Sequence, residues 1–440
     1  MSGRSLPLEG VRIVDQTLAW AGPFGAQLLA DWGAEVIRVE PLQFMQRATR
    51  APNIRPFKRP TSNWANAYPD GIPGERHWNR HLMFQVHARN KLSITSDLPD
   101  PDCMEAYLRL VAVSDIVMEN NVPQPYAKFG ASYDALRRAR PDIILVRLPA
   151  YGLNGPYSTY RAAGRQMESL AGHNWVRGYR DESTDEARDL ISVRGTTYLA
   201  DAVGGASVAY AAMVALCHRR ATGEGQLVEV ASAEAVVHHV PVSVIDYALN
   251  GRVQRPLGNG HPSRAPQGCY RCHRDDKWLV ISVGTDEEWS GLVRAMGEPE
   301  WAKDARFATA LGRHRRQNEI DEGISAWTRD KDHVELMHVL QSEGVAAAPV
   351  HDQEELFDDP HMTSRGFFQE LQQRSTGTHL YPGMSWQMVG TPNPIRRASP
   401  MLGEHNEMVY KELLGLSEEE YGRLEEAGHI GMDYPAHLYD

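Results

Sequence analysis

Only four cysteines are spread over 440 residues, too few and too scattered for a disulfide framework. Cys269 and Cys272 form a lone C-x-x-C, with His261 and His273 nearby. A structural zinc wants a further ligand pair at suitable spacing, and Cys103 and Cys217 stand alone. No metal is therefore expected, and the stretch reads better as a strand. No apolar run approaches the eighteen or more residues that identify a membrane-spanning helix. Nothing at the N-terminus reads as a signal peptide, because Met1-Ser2-Gly3-Arg4-Ser5-Leu6-Pro7 leads directly into a strand-like pattern. A cytoplasmic location, with no membrane partner, is expected. Basic residues are in deficit, 46 Lys and Arg against 57 Asp and Glu, so the basic face that general nucleic-acid binding requires is not there. Internal repeats and low-complexity tracts are also missing.

What is present is strand–helix alternation. Val11-Arg12-Ile13-Val14-Asp15 is a β-branched strand, followed by Ala21-Gly22-Pro23 and an apolar-periodic segment that runs to Trp32 and stops at Gly33. Residues 35–39 form a second strand, ending at Glu40. Such a βαβ opening sets helix amides beside strand ends, where phosphates bind. It lacks the G-x-G-x-x-G of a dinucleotide enzyme, because Ala19-Trp20-Ala21-Gly22-Pro23-Phe24-Gly25 does not supply it. Strands are expected at 92–95, 115–119, 143–147 and 227–230, with helices at 101–113 and 133–140. A long helix rich in small residues is expected at 198–221. This spacing implies a parallel α/β sheet. After about residue 250 the character changes: 255–268 is a loop rich in Gly, Pro, Asn and His, and a strand follows at 278–283. Further expectations are a strand near 345–350 and helices near 407–414 and 417–427.

Three further features need a reading. Between Leu42 and Pro60 lie Arg47, Arg50, Arg55, Lys58 and Arg59 with no acid, which is a solvated loop or a positive rim for an anionic ligand. Trp64, Trp78 and Phe84 read as core or interface, or else as an acyl pocket. His238 and His239 lie in an apolar helical segment and read as structural.

Several short motifs share one register. They are Leu8-Glu9-Gly10-Val11-Arg12-Ile13-Val14-Asp15, Arg89-Asn90-Lys91-Leu92-Ser93, Glu119-Asn120-Asn121-Val122-Pro123, Gly152-Leu153-Asn154-Gly155-Pro156-Tyr157, Thr222-Gly223-Glu224-Gly225-Gln226 and Gly403-Glu404-His405. Their order and spacing resemble the class III CoA-transferase family (formyl-CoA transferase and carnitine–CoA transferase, CaiB/BaiF type). The resemblance implies a large Rossmann-like domain with a parallel sheet plus a smaller α/β domain. Two chains would be threaded as an interlocked dimer. The domains are expected at 1–222 (the first part of the large domain), 223–345 (linker and small domain) and 346–440 (returning to the large domain).

The same resemblance implies an acyl-CoA ligand, with coenzyme A as substrate rather than a bound prosthetic group, and transfer of CoA from one carboxylic acid to another. In such enzymes an aspartate carboxylate attacks the acyl-CoA, which splits one hard step into easier ones. Matching positions suggest CoA contacts at Arg38, Asn90, Lys91, Asn120, Asn121 and Lys128. Departures stand beside these matches: Val122 and Gln124 replace the usual arginine and glycine, and Gly258-Asn259-Gly260 is a short version of the glycine-rich loop. Counting back from the Ala171-Gly172 pair places Gly164 at the aspartate position. Three readings follow. Glu168, about one helical turn further on, is the nucleophile; or the chain is the partner subunit of a heteromer whose other subunit carries the aspartate; or the scaffold runs another acyl-CoA reaction, such as a racemase-like isomerisation.

Overall fold

The computed structural model describes residues 5–51, 67–121, 131–180, 190–191 and 199–438. The chain divides into two units by internal contact. One comprises the described residues of Met1–His173, Thr196–Val244 and Gly366–Asp440, the other those of Asn174–Gly195 and Ile245–Arg365.

In the larger unit the strands are β1 (Arg12–Asp15), β2 (Glu35–Glu40), β3 (Lys91–Thr95), β4 (Ile116–Glu119), β5 (Ile144–Arg147) and β6 (Leu227–Glu229). They lie in the order β3-β2-β1-β4-β5-β6, and every pairing is parallel. Alternate residues go to opposite faces, so both faces of each strand must be covered. On one face Val14, Ile37 and Leu145 pack against Cys103, Tyr107 and Leu110 of α3 (Pro101–Ala112). On the other, Ile13, Val36, Ile116 and Val146 pack against Leu29 and Ala30 of α1 (Ala21–Asp31). Between these helices in sequence lies the short α2 (Leu82–His87), and α4 (Tyr133–Ala139) follows α3.

Next come α5 (Gly164–Leu170), α6 (Leu199–Thr222), α7 (Ser232–Val237) and α8 (Pro241–Asn250). Among the described residues α6 is the one helix long and apolar enough to cross a membrane by length and composition. No such run was expected here because the apolarity comes from many Ala with scattered Val, broken by Asp201, Gly204, Gly205 and Ser207, and not from an unbroken block of Leu, Ile and Phe. Its inner face is nonetheless built into the large unit, where Val208, Ala209, Ala212 and Ala215 are buried beside α1. The helices approach closely because glycines meet. A Cβ on Gly205 would lie 2.6 Å from the Ala21 carbonyl oxygen and 2.7 Å from Phe24 Cδ1.

The smaller unit has a three-stranded antiparallel sheet of β7 (Gln267–Arg271), β8 (Trp278–Ser282) and β9 (Ala346–Pro349), in the order β9-β8-β7. Leu279, Ile281, Trp289, Leu292, Ile320, Ile324 and Leu340 form its core. The expected division at 222/223 and 345/346 differs from these groupings for a physical reason. Leu227–Glu229 pairs with β5, so the chain is still in the large sheet there, and Ala346–Pro349 pairs with β8 of the small one. The return to the large unit begins with the hairpin β10 (Phe368–Gln373) and β11 (Gly377–Pro382).

Candidate active site

In an open parallel sheet, ligands gather outside the carboxyl ends of the strands, where the strand order reverses. Here β1 lies between β2 and β4, and a cavity of 1260 Å³ opens at that point. Its wall draws on the carboxyl end of each of the first five strands: Gln16 and Leu18 after β1, Glu40 and Pro41 at β2, Ser96 and Asp97 after β3, Asn120 and Asn121 after β4, and Leu148 and Pro149 after β5. The N-terminus of α1 (Trp20, Ala21) and residues 160–167 complete it. A volume of this size suits a large ligand.

The loop ahead of α5 is set by backbone geometry. Gly152 has φ +99 and Gly155 φ +82, a region open to glycine at little cost. Glu229 at the end of β6 accepts from the Leu153 amide at 2.6 Å. Gln166 folds back to accept from the Ala163 amide at 3.1 Å, which closes the first turn of α5 and leaves Gly164 in the cavity wall. Arg161 and Arg165, both exposed, bring guanidinium groups to the same wall.

The expected residues are distributed unevenly around this cavity. Asn120 and Asn121 line it, and their side chains also hold the β1–α1 loop. Asn120 accepts from the Leu18 amide at 2.6 Å and donates to the Leu18 carbonyl at 2.9 Å, and Asn121 donates to the Gln16 carbonyl at 3.1 Å. Arg38 lies behind the wall, 1% exposed, beside Asp15 and Glu40 and donating to Gln46 at 2.6 Å. Lys91 is fully buried, donating to Asp15 and to the Pro23 carbonyl at 2.8 Å each. Asn90 donates to Asp31 at 2.7 Å and accepts from the amides of Arg396 and Arg397. All three are committed to internal partners, so what they shape is the framework beneath the cavity. Lys128 lies outside the described residues, as do Arg55, Lys58, Arg59 and Trp64. Trp78 is core, packed edge-on against Tyr434.

Glu168 is 2% exposed. One carboxylate oxygen is 3.1 Å from His173 Nδ1, and the other accepts from the Ala200 amide at 3.4 Å. The cavity lining passes from Met167 of α5 to Asp201 in the first turn of α6, without Glu168. Asp201 is half-buried, and the amide of Ala21 at the start of α1 lies near enough to favour its charged form. Burial, and then the neighbouring Glu168 charge, push its carboxyl up to about 6 against that amide. Sequence reasoning missed Asp201, though an isolated acid opening a helix of small apolar residues was a visible signal. The other cavity carboxylates are engaged: Glu40 with Arg38 and Arg50, and Asp97 with His429 at 3.0 Å.

One group among the described residues has metal-like spacing, Asp100, Cys103 and His429 within 4.8 Å. Asp100 already caps α3 by accepting from the Asp102 and Cys103 amides. Burial pushes the Cys103 thiol up to about 11, away from the thiolate a metal needs. In the Cys269/Cys272 pair, Cys269 lies on β7, neither cysteine is in a disulfide, and the Cys272 thiol donates to the Tyr270 carbonyl at 3.7 Å.

Comparison with known proteins agrees with this architecture. The chain is 32% identical over 420 residues to succinyl-CoA–D-citramalate CoA-transferase of Chloroflexus aurantiacus, covering 95% of this chain and 97% of the relative. It is 29% identical to the succinyl-CoA–L-malate CoA-transferase beta subunit of the same organism, over 96% and 97% of the two chains. A crystal structure of a CaiB/BaiF family protein from Brucella suis superposes with a TM-score of 0.77 at 25% identity, over 93% of this chain and all of that one. The model of CoA-transferase family III matches residues 8–406, and with the sheet order and the cavity already in place, the chain belongs to that family.

Proposed function

We propose that this CoA-transferase moves CoA from a short dicarboxylic acyl thioester, of the succinyl type, to a second carboxylic acid, within the cavity at the carboxyl edge of the sheet. The carrying observation is that cavity: it combines the positive end of α1, two guanidinium groups and a half-buried carboxylate in one pocket. The cations match a carboxylate that a dicarboxylic substrate keeps unreacted, and Arg suits this as a bidentate donor. The succinyl preference draws support from the names of the two relatives. Asn120 and Asn121 would meet the CoA only after giving up part of their hold on the β1–α1 loop.

The test is exchange of labelled succinate into succinyl-CoA by the purified chain, with acetyl-CoA and acetate as the comparison. Exchange with succinate well above acetate supports the reading; exchange of neither acid removes it. Arg161→Met is expected to raise KM for succinate about tenfold with little change in kcat, the size of one lost charge-assisted hydrogen bond, read from initial rates at saturating succinyl-CoA.

A second reading, that the chain acts with a related subunit, has two supports. One relative is named as a beta subunit. In addition, α8 buries none of its residues and exposes Val242 and Leu249 at 75% and 77%, an apolar face of the kind a partner covers. A second copy would cover it equally in the interlocked arrangement. Sedimentation of the chain by itself separates the cases: a stable dimer favours two copies, whereas a monomer that exchanges CoA only with a related chain present favours the heteromer.

A further inference from the structure

The geometry points to Asp201 as the carboxylate that carries the acyl group and then CoA, with Glu168 behind it as a positioning residue. This rests on the CoA-transfer reading above. Gly164 presents no side chain to the cavity, so the nucleophile must come from another element. Of the carboxylates that line the cavity, Glu40 is fully buried between two guanidinium groups and Asp97 holds His429. Asp201 is neither fully buried nor ion-paired to any cation among the described residues.

Three elements aim it. The first turn of α6 presents it to the cavity beside Gly164, Met167 and Ser232. The Ala21 amide at the start of α1 lies close to it and favours its charge. Glu168, anchored by His173 and by the Ala200 amide one residue before Asp201, backs it. An ordinary carboxylate is a weak nucleophile because water stabilises its charge. Asp201 is partly desolvated and faces a like charge, which favours its giving up charge in an acyl bond.

The steps balance without another reactant. An Asp201 carboxylate oxygen attacks the thioester carbonyl, the C–S bond breaks, and CoA leaves as thiolate, giving a mixed anhydride. The thiolate attacks the Asp201 carbonyl carbon and expels the first acid as its carboxylate, leaving Asp201 joined to CoA as a thioester. The second acid's carboxylate attacks that thioester and releases the thiolate. The thiolate then attacks the second acyl carbonyl, forming the new acyl-CoA and restoring the Asp201 carboxylate. The Ala21 amide lies near enough to Asp201 to favour negative charge there in the second and third steps, where the tetrahedral carbon is that of Asp201; in the first and fourth the oxyanion forms on the substrate acyl group.

The experiment incubates the full chain with succinyl-CoA, reduces any enzyme thioester with borohydride, and maps the resulting alcohol by peptide mass spectrometry. Wild type, Asp201→Asn and Glu168→Gln are compared, with circular dichroism and CoA binding as checks on folding. The expected results are reduction of Asp201 to homoserine in wild type, and loss of both the adduct and at least about 10³-fold in kcat in Asp201→Asn. Glu168→Gln is expected to keep the Asp201 adduct and to move the acid limb of the kcat profile to lower pH. That limb also feels His173 behind Glu168, and Arg161 and Arg165 in the cavity lining. An adduct at Glu168, or exchange without an Asp201 adduct, overturns the assignment and leaves CoA transfer standing. Neither exchange nor adduct overturns both. Should Asp201→Asn not fold, the wild-type adduct site decides.

Discussion

Arg50→Met is expected to lose about 3–5 kcal/mol of stability, measured by urea unfolding at neutral pH, with CoA binding lost at temperatures where the wild type still binds. Arg50 is fully buried. Its guanidinium holds both oxygens of Glu40, one of them through Nε at 2.9 Å, and donates to Asn79 at 3.1 Å and Ser93 at 3.2 Å. It stacks 3.6 Å over the ring of Phe84, so methionine would keep part of the packing and none of the charge. Glu40 would keep only Arg38 as a cationic partner, at 3.2 Å, and a buried charge with half its compensation is costly. The pH sign follows from Glu40. Burial would raise its carboxyl, but Arg50 and Arg38 overcome that and hold it below the ordinary value. A carboxyl lowered on folding adds stability that is complete above the ordinary carboxylate range and lost as pH falls through the folded value. Wild type should therefore lose its advantage over Glu40→Gln as the pH is taken into the acid range, and unfolding curves at stepped pH check this. The effect reaches the site because Glu40 and Gln46 both line the cavity.

The same network shows which parts of the site the sequence could disclose. The strands of the large sheet were legible because each is a short β-branched run between turn residues, and the sheet follows from strand–helix alternation. Arg38, expected as a CoA contact from its matching position, is turned inward. One fact was readable in the sequence, that Arg38 and Glu40 share a face of β2 by the two-residue period of a strand; in the structure the β1–β2 pairing adds Asp15 opposite Arg38. The pairing register itself was not readable, and it decides that three charges meet. Lys91 joins them through the pairing of β3 with β2. The hairpin β10–β11 was missed because Gln369, Glu370, Gln372, Thr378 and His379 give it little apolar alternation. Glu168 was readable as a turn away from Gly164, but which way its carboxylate faces depends on His173 and on the first turn of α6, which come together only in the fold.

The second large effect lies at the crossing that brings Asp201 to its place. Gly205→Ala is expected to cost about 2 kcal/mol or more, and to lower kcat about 10²-fold through displacement of the site. Alanine is the better helix former by about 1 kcal/mol, so a loss must come from contact. The added Cβ would sit 2.6 Å from the Ala21 carbonyl oxygen and 2.7 Å from Phe24 Cδ1. The first is backbone of α1, so relief requires one helix to move against the other. The Ala21 amide lies near Asp201, and Asp201 stands in the first turn of α6 itself, so the shift acts directly on the carboxylate's surroundings. The neighbouring glycine is the control. A Cβ on Gly204 would meet Ser232 Oγ at 3.3 Å and Leu148 Cδ1 at 3.6 Å, side-chain atoms able to yield by a few tenths of an ångström. Gly204→Ala should therefore be near neutral or slightly stabilising, with kcat within about threefold of wild type. Thermal unfolding and succinate exchange on the two variants together decide the point. Equal losses at both positions would mean that helix flexibility, and not the approach of α6 to α1, sets the geometry of the site.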